Sequence, residues 1–447
     1  MLISPTGPSV RHAVRLAAAL LVASGGAAAT GPPPAGAQAT TAQTRLPNGL
    51  TLVTAQRPDA ETVAVTLAAR AGARFEDDST ASAAHFLEHM YLQGTPSRPN
   101  RDAIMRTVTA RGGTLGVGTG WEFLDFSVVL APEDFDVALD LLTDVLGSST
   151  FDPDRMEHQR GLILQELAQR RDNPASRAFD LFYSTVFRDH PLHFLPSGLP
   201  EGVERLDRDS LLRYRDQRIV PANIVAGVVG PFSHEEVLGR FGPTLGTLPS
   251  GPMPSVAGAS PPPGVHQEVQ LAAGRDQATV ILGGPTPGLN HPDRYPLWLL
   301  QTILGPGGGR LFYDIRDARG LAYDTNMRLA LTAESGAIMA YAGTDPANVT
   351  RVIDLLQQHL ARARDEQVSD AELEMGIGYL VGGTVVGLES GSAYAGQLAH
   401  NTALGLPLTT AELEANLRAV SREDLQRVAQ EYLSPERLTL VVVAPGG

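Results

Sequence analysis

The amino-acid sequence predicts an α+β fold made of two similar parts, each a sheet with helices packed on one face. The main observation is a strand–turn–helix pattern that occurs twice in the 447 residues. Residues 123–130 alternate as a strand and 137–146 form an amphipathic helix, and residues 337–342 and 349–360 repeat this order. Between the two copies, the Pro/Gly/Ser-rich stretch 246–264 is typical of a linker between domains.

The linker and the N-terminal composition divide the chain into four predicted segments. These are a signal peptide (1–39), an N-terminal domain (40–245), the linker (246–264) and a C-terminal domain (265–447). In the first segment a basic, acid-free stretch precedes the apolar run 16–29, and Ala37-Gln38-Ala39 matches an A-x-A cleavage site. We therefore expect a periplasmic or secreted protein that is cleaved near Ala39.

A mitochondrial transit peptide is the alternative for this segment, because such peptides also carry Arg and are poor in acids. The apolar run is too short to cross a bilayer comfortably, and no later segment is longer or as apolar, so no stable membrane span is expected. The formal net charge of −14 argues against nucleic acid as a partner. Cysteine is absent, which excludes a disulfide framework and a lipid-bearing Cys.

The pattern most informative about chemistry is His85-Phe86-Leu87-Glu88-His89. On a helix, residues four apart share a face, so both imidazoles can bind one metal ion. Glu88 projects toward the same side and can reach a water at that metal, which is the zincin arrangement in reverse order. The surrounding residues are apolar nearly all round, which indicates burial. The alternative is a pair of core histidines bonded to backbone carbonyls, with Glu88 in an ion pair.

A third metal ligand is expected because a catalytic zinc usually takes three protein ligands. The candidate is Glu166, close behind the apolar run 162–164, where an uncompensated carboxylate is costly. Its predicted helix is capped by Asp152, has Pro153 in its first turn and ends at Asn173-Pro174. The alternative for Glu166 is a solvated acid on the helix surface.

Several motifs together resemble the pitrilysin-type (insulinase-like) zinc metallopeptidases over residues 46–230. Glu166 lies 77 positions after His89, which is the spacing of the third ligand in that family. Besides the His-x-x-Glu-His pattern, the matching segments are Leu46-Pro47-Asn48-Gly49-Leu50, Gly94-Thr95, Gly112-Gly113, Leu164-Gln165-Glu166-Leu167, Asp172-Asn173-Pro174 and Asp189-His190-Pro191-Leu192. The resemblance implies two homologous, mainly antiparallel α+β domains, of which only the first holds one zinc ion.

The resemblance also implies roles for individual residues. His85, His89 and Glu166 are expected to bind Zn²⁺, and Glu88 to act as the general base. In active relatives an Arg and a Tyr seven positions apart complete the active site from a downstream domain, and Arg316 and Tyr323 match that spacing. Tyr323 is expected to stabilise the oxyanion, and Arg316 to bind the substrate.

Two departures from the family pattern concern the surroundings of this site. Relatives usually carry a second Glu where this chain has Gln159, seven residues before Glu166. Relatives also tend to carry an Asn on the edge strand that lines the cleft, where this chain has Gly116. Both changes put high turnover and the usual substrate preference in doubt.

The sequence thus predicts a zinc-dependent endopeptidase that acts on peptides or unfolded segments. The alternative is a weakly active or non-catalytic subunit that serves assembly or peptide binding in a heteromeric complex; a secreted ligand-binding protein would require every motif to match by chance. In longer single-chain relatives the Arg/Tyr pair comes from a fourth domain. A two-domain chain lacks one, so we expect a homodimer, with a heterodimer with a similar chain lacking the zinc motif as the alternative.

Overall fold

The computed structural model describes residues 40–254, 269–274, 277–306 and 308–445. The predicted signal peptide 1–39, and the predicted linker from residue 255 onward, lie outside this part. Within it the predicted α+β fold is confirmed, because there are two mainly antiparallel sheets with helices packed against them. No helix in this part combines the length and apolar character needed to cross a membrane.

The first half of the described chain contains a six-stranded sheet. Its strands are β1 (Thr40–Arg45), β2 (Thr51–Gln56), β3 (Val63–Ala69), β4 (Thr114–Thr119), β5 (Leu124–Leu130) and β6 (Ile224–Gly230), in the order β1-β2-β6-β3-β5-β4. Strands β2 and β6 pair in parallel and the other neighbours are antiparallel. The helices are α1 (Ala83–Tyr91), α2 (Arg101–Thr109), α3 (Phe135–Ser148), α4 (Pro153–Asp172), α5 (Pro174–Val186), α6 (Pro200–Arg205), α7 (Arg208–Arg218) and α8 (His234–Phe241).

The second half repeats this plan with a five-stranded sheet. Its strands are β7 (Val269–Gly274), β8 (Ala278–Pro287), β9 (Ala322–Leu331), β10 (Ser335–Thr344) and β11 (Thr439–Pro445), in the order β7-β11-β8-β10-β9, with β7 and β11 parallel. The helices are α9 (Arg294–Leu304), α10 (Val349–Asp365), α11 (Asp370–Leu388), α12 (Gly391–Leu404), α13 (Thr410–Arg418) and α14 (Arg422–Tyr432).

The strand–turn–helix pattern read from the sequence is present in both halves. The predicted strand 123–130 and helix 137–146 correspond to β5 and α3, and the predicted 337–342 and 349–360 to β10 and α10. On β5 the residues Leu124, Phe126, Val128 and Leu130 are buried and the intervening ones are partly exposed, as period-two alternation requires. These four side chains belong to a core that also includes residues of α1 and α3.

The opposite face of each sheet is covered by a helix from the other half of the chain. Helix α5 of the first half packs Phe182 and Val186 against Met339 and Val441 of the second sheet. Helix α12 of the second half packs Leu398 and its neighbours against residues of β2, β3 and β6. This exchange of helices joins the two halves through buried apolar contacts.

Helix α12 approaches the first sheet so closely that one strand position must be glycine. A Cβ atom at Gly227 on β6 would lie 2.0 Å from the carbonyl oxygen of Ala395 and 3.1 Å from the nitrogen of Ala399. Both are backbone atoms of α12, so no side-chain rotation could relieve the clash. The backbone of the helix therefore lies directly over β6.

Candidate active site

Helix α1 places the two histidines of the His-x-x-Glu-His pattern on one face. The rings of His85 and His89 lie with centroids 4.7 Å apart and nearly perpendicular, at 74°. Phe86, Leu87 and Met90 point to the other side of the helix and are buried in the core. The apolar residues thus fix the rotation of the helix, and both imidazoles remain partly exposed, with 16% of each side chain accessible.

Helix α4 packs beside α1 and brings Glu166 to the histidines. The predicted start of α4 is confirmed, because the carboxylate of Asp152 accepts a hydrogen bond from the backbone N–H of Arg155 and Pro153 follows it. Met156, Gln159 and Ile163 are the buried residues of α4. These residues are three or four positions apart, and Glu166 follows Ile163 by three. Glu166 therefore lies on the same face of the helix, next to α1.

The three residues form one compact cluster of metal-ligand atoms. Oε2 of Glu166 lies 3.7 Å from Nε2 of His85 and 3.5 Å from Nε2 of His89. One ligand atom from each residue lies within 4.8 Å of the others. Ligand atoms about 2.0–2.1 Å from a tetrahedral zinc are about 3.3 Å apart, so two imidazole nitrogens and a carboxylate oxygen at these distances fit zinc.

Gln159, the first departure from the family pattern, contacts His89 directly. Its Oε1 lies 3.1 Å from Nδ1 of His89, and the side chain is buried. An amide oxygen can only accept, so this contact assigns the proton of the neutral ring to Nδ1 and leaves Nε2 free toward Glu166. The amide thus orients the imidazole as a carboxylate would, but without a negative charge.

Glu88 lies beside the cluster. Its Oε2 is 3.4 Å from Nδ1 of His85. Burial raises the pKa of Glu88, but the neighbouring His85, Thr119 and His89 side chains outweigh this effect, so the pKa is lowered from its ordinary value. Thr119, the last residue of β4, also donates a hydrogen bond to the carbonyl of Ala84 at 3.2 Å. Strand β4 therefore contacts helix α1 one turn before Glu88.

Strand β4 is the edge strand of its sheet and carries the second departure. Gly116 pairs with Ser127 of β5, and a Cβ atom there would have only the Ser127 hydroxyl oxygen near it, at 3.4 Å. A Cβ atom at Gly118 would meet nothing within 4 Å. The edge next to Thr119 is thus open and lacks the amide side chain that relatives tend to have there.

The Arg/Tyr pair of the second half is formed but lies apart from this cluster. The guanidinium of Arg316 lies over the ring of Tyr323, 5.6 Å from its centroid. Tyr323 stands near the start of β9, the edge strand of the second sheet, and is 82% exposed. Among the described contacts, none connects Arg316 or Tyr323 with His85, His89 or Glu166.

The cluster does not line the cavity between the two halves. A cavity of about 690 Å³ lies between the two halves and is lined by residues such as Trp298, Phe123 and the paired Asp125 and His400. None of the metal-ligand candidates lines it. With 53% of its side chain exposed, Glu166 instead faces an open surface, which is accessible to a long polypeptide.

Sequence reasoning missed one residue at this site, Glu76. Its buried carboxyl group accepts hydrogen bonds from the backbone at the start of α1. The sequence carries no signal for it, because an acid seven residues before a helix has no regular spacing to that helix. In the sequence Ser82 is an ordinary N-cap residue, and only the structure shows that its side chain does not cap the helix.

The fold and the site together define a class: a two-domain α+β chain whose first domain carries an inverted zincin motif. Residues 51–194 match the family model described as insulinase (peptidase family M16), and residues 205–379 match the model described as the peptidase M16 inactive domain. The chain belongs to the insulinase family, peptidase family M16.

Relatives agree with this family, and a solved structure has a similar fold. An uncharacterized zinc protease of Mycobacterium leprae is 32% identical over 374 residues, which cover 82% of this chain and 83% of the relative. A protein of the same description from Streptomyces coelicolor is 29% identical and covers 91% of this chain and 90% of the relative. A protease from Helicobacter pylori has a similar fold, with a TM-score of 0.84, 21% identity and coverage of 91% and 100% of the two chains.

Proposed function

We propose that this chain is a zinc-dependent endopeptidase that hydrolyses peptides or unfolded polypeptide segments. The observation that carries the proposal is the convergence of His85, His89 and Glu166 within ligand distance, with Glu88 beside them. Relatives named as zinc proteases support both the metal and the class of reaction.

In the proposed mechanism His85, His89 and Glu166 would hold one Zn²⁺. The bound ion would act as a Lewis acid and would make a neighbouring water more acidic. The Glu88 carboxylate accepts a proton from the attacking water and later donates it to the leaving amine. The contact between its Oε2 and Nδ1 of His85, at 3.4 Å, keeps this carboxylate beside the cluster. Gln159 keeps Nε2 of His89 available by occupying Nδ1.

The open edge of β4 supports an extended polypeptide as the substrate. An edge strand presents unpaired backbone N–H and C=O groups, to which a peptide can add as a further strand. Because Thr119 ends β4 and touches α1, a peptide on this edge would pass close to Glu88. With Gly116 on the edge, backbone pairing rather than an amide side chain would hold the substrate.

A weakly active or non-catalytic subunit in a heteromeric complex remains the second candidate. Gln159 and Gly116 favour it, since the first removes a negative charge and the second a polar side chain that relatives place around the site. In that case the same cluster would bind a metal, and the open edge would bind peptides without rapid hydrolysis.

We further propose that the working unit is a homodimer. Arg316 and Tyr323 contact each other, and Tyr323 is exposed to solvent on the edge of the second sheet. The phenol of Tyr323 and the guanidinium of Arg316 are thus available to the cluster of a second copy, where they would bind the substrate and its developing oxyanion. A two-fold arrangement of two such chains gives two equivalent sites.

The proposed activity is tested by incubating the purified chain with a mixed peptide library, with and without a metal chelator. We expect cleavage within peptides that stops with chelator and returns with added Zn²⁺. Glu166→Gln should lose both zinc and cleavage, since it weakens the third ligand. Glu157→Gln is the matched control on the same helix, because Glu157 only pairs with Arg160 at the surface. Cleavage that persists in the zinc-free chain would contradict the proposal.

A further inference from the structure

Glu76 is a buried acid that the mechanism above does not use. Its side chain lies just after the short 3-10 turn Ala73–Phe75 and is 7% exposed. One oxygen, Oε2, accepts from the backbone N–H of Ser82, and the other, Oε1, accepts from the backbone N–H of Ala84, both at 2.8 Å. Burial raises the pKa of Glu76 to about 8, against the lowering effect of these two hydrogen bonds.

The two bonds replace the ordinary cap of helix α1. The N-cap residue Ser82 has a left-handed backbone, with φ of 74°, and its side chain does not cap the helix. Its hydroxyl instead accepts from the backbone N–H of Leu199 at 2.8 Å and donates to the carbonyl of the same residue. The first N–H groups of a helix need partners from outside it. At α1 the Glu76 carboxyl accepts those of Ser82 and Ala84, and the carbonyl of Thr80 accepts that of Ala83.

The first turn of α1, whose N–H groups bond to Glu76, also carries His85. Helix α1 has nine residues, and His85 is the third of them, directly after Ala84. A shift of the first turn would therefore move the His85 ring relative to His89, which is one turn further along. The loop that connects Glu76 to the helix is itself held, because the Asp77 carboxylate accepts from Ser79 and Thr80.

We propose that Glu76 is a positioning residue for the metal centre: by accepting the N–H groups of Ser82 and Ala84 it holds the first turn of α1 where His85 meets His89 and Glu166. The inference rests on the zinc site proposed above. Glu76 acts without contacting substrate or metal. The geometry of the ligands depends on this carboxyl outside the helix.

The test replaces one oxygen of this carboxyl by a donor. In Glu76→Gln only one of the two backbone N–H groups keeps an acceptor, and the other faces an NH₂ group. We expect a folded chain whose zinc dissociation constant is about 10–100-fold larger, the usual effect of losing a group that orients a ligand. The visible spectrum of the Co²⁺-substituted chain should change as well, because it reports the arrangement of the ligands.

The matched control is Glu412→Gln in the second half. Glu412 also accepts from two backbone N–H groups at a helix start, those of Leu408 and Thr409, but with the single oxygen Oε2 and at helix α13. This variant should keep the wild-type zinc affinity and Co²⁺ spectrum. Wild-type values in Glu76→Gln would overturn the inference, whereas a wild-type chain that binds no zinc would contradict the proposed function instead.

A second variant covers the case in which Glu76→Gln does not fold. Glu76→Asp keeps both oxygens but withdraws them by one methylene, so the two bonds lengthen. We expect Glu76→Asp to fold and to bind zinc more weakly than wild type. If Glu76→Gln also folds, the zinc affinity of Glu76→Asp should lie between those of wild type and Glu76→Gln. Unchanged affinity and an unchanged Co²⁺ spectrum in Glu76→Asp would likewise overturn the inference.

Discussion

At the scale of single residues, His89 illustrates how neighbouring side chains prepare the proposed metal centre. Nδ1 of its ring contacts Gln159, and Nε2 faces Glu166. A neutral imidazole has one donor and one acceptor nitrogen, so the amide oxygen at Nδ1 determines which nitrogen can bind a cation. The contact between Gln159 and Nδ1 therefore makes Nε2 the nitrogen of His89 that can bind the metal.

Replacing this amide by a carboxylate should strengthen metal binding. A hydrogen bond from Nδ1–H to a charged acceptor is stronger than one to an amide and makes the imidazole more basic. We expect Gln159→Glu to lower the zinc dissociation constant by about 10-fold. Competition with a chelator of known affinity measures it, and Gln165→Glu on the same helix is the control. An unchanged or larger dissociation constant for Gln159→Glu would show that Gln159 does not orient His89.

At the scale of elements, the exchange of α5 and α12 determines how the two sheets are covered. Each of these helices packs its apolar residues on the sheet of the other half. Gly227 marks the closest approach, because the backbone of α12 occupies the space of its missing side chain. The two halves therefore share their cores and are expected to lose structure together.

This packing predicts a large effect of one methyl group. Gly227→Ala should destabilise the chain by about 1–3 kcal/mol or more, because α12 must move away from β6. Gly239→Ala is the control: Gly239 lies in α8 with nothing within 4 Å of the added Cβ, so its substitution should be neutral or stabilise by up to about 1 kcal/mol. Chemical denaturation measures both. Equal stability of the two variants would contradict the close approach of α12.

The local elements could be predicted from the sequence because their signals are local. Alternation in 123–130 predicted β5, and Asp152 with Pro153 predicted the start of α4. The convergence of His85, His89 and Glu166 was predicted from helical spacing together with the family resemblance. The exchanged helices could not be predicted, since the partners of Phe182 and Leu398 lie far away in sequence. The role of Glu76 depends on backbone N–H groups, which leave no pattern of residue types.

At the scale of the whole molecule, the two candidate parts of one active site lie on separate halves. The first half holds the metal-ligand cluster, and the second holds Arg316 over an exposed Tyr323. Under the proposed homodimer each copy supplies the pair that the other needs. In a heterodimer, either the metal-ligand cluster or the Arg316/Tyr323 pair of this chain would have no function.

The homodimer is tested by mixing two inactive variants. Glu88→Gln lacks the base and Tyr323→Phe lacks the phenol, so each alone should lose most activity. A mixed dimer has one site with both residues intact, and activity should return to at most about a quarter of wild type, since about half of the dimers are mixed. Mixtures that remain inactive despite proven subunit exchange, or an active monomer by light scattering, would rule out the arrangement.

The central claim is that His85, His89 and Glu166 bind zinc while Glu88 acts as the base without binding it. It is tested most directly by measuring zinc content and peptide hydrolysis together in Glu88→Gln. We expect about one zinc per chain, as in wild type, and a loss of hydrolysis of about 10²–10⁴-fold, the usual effect of removing a general base. A Glu88→Gln chain that is purified without zinc, or that hydrolyses peptides at the wild-type rate, would contradict it.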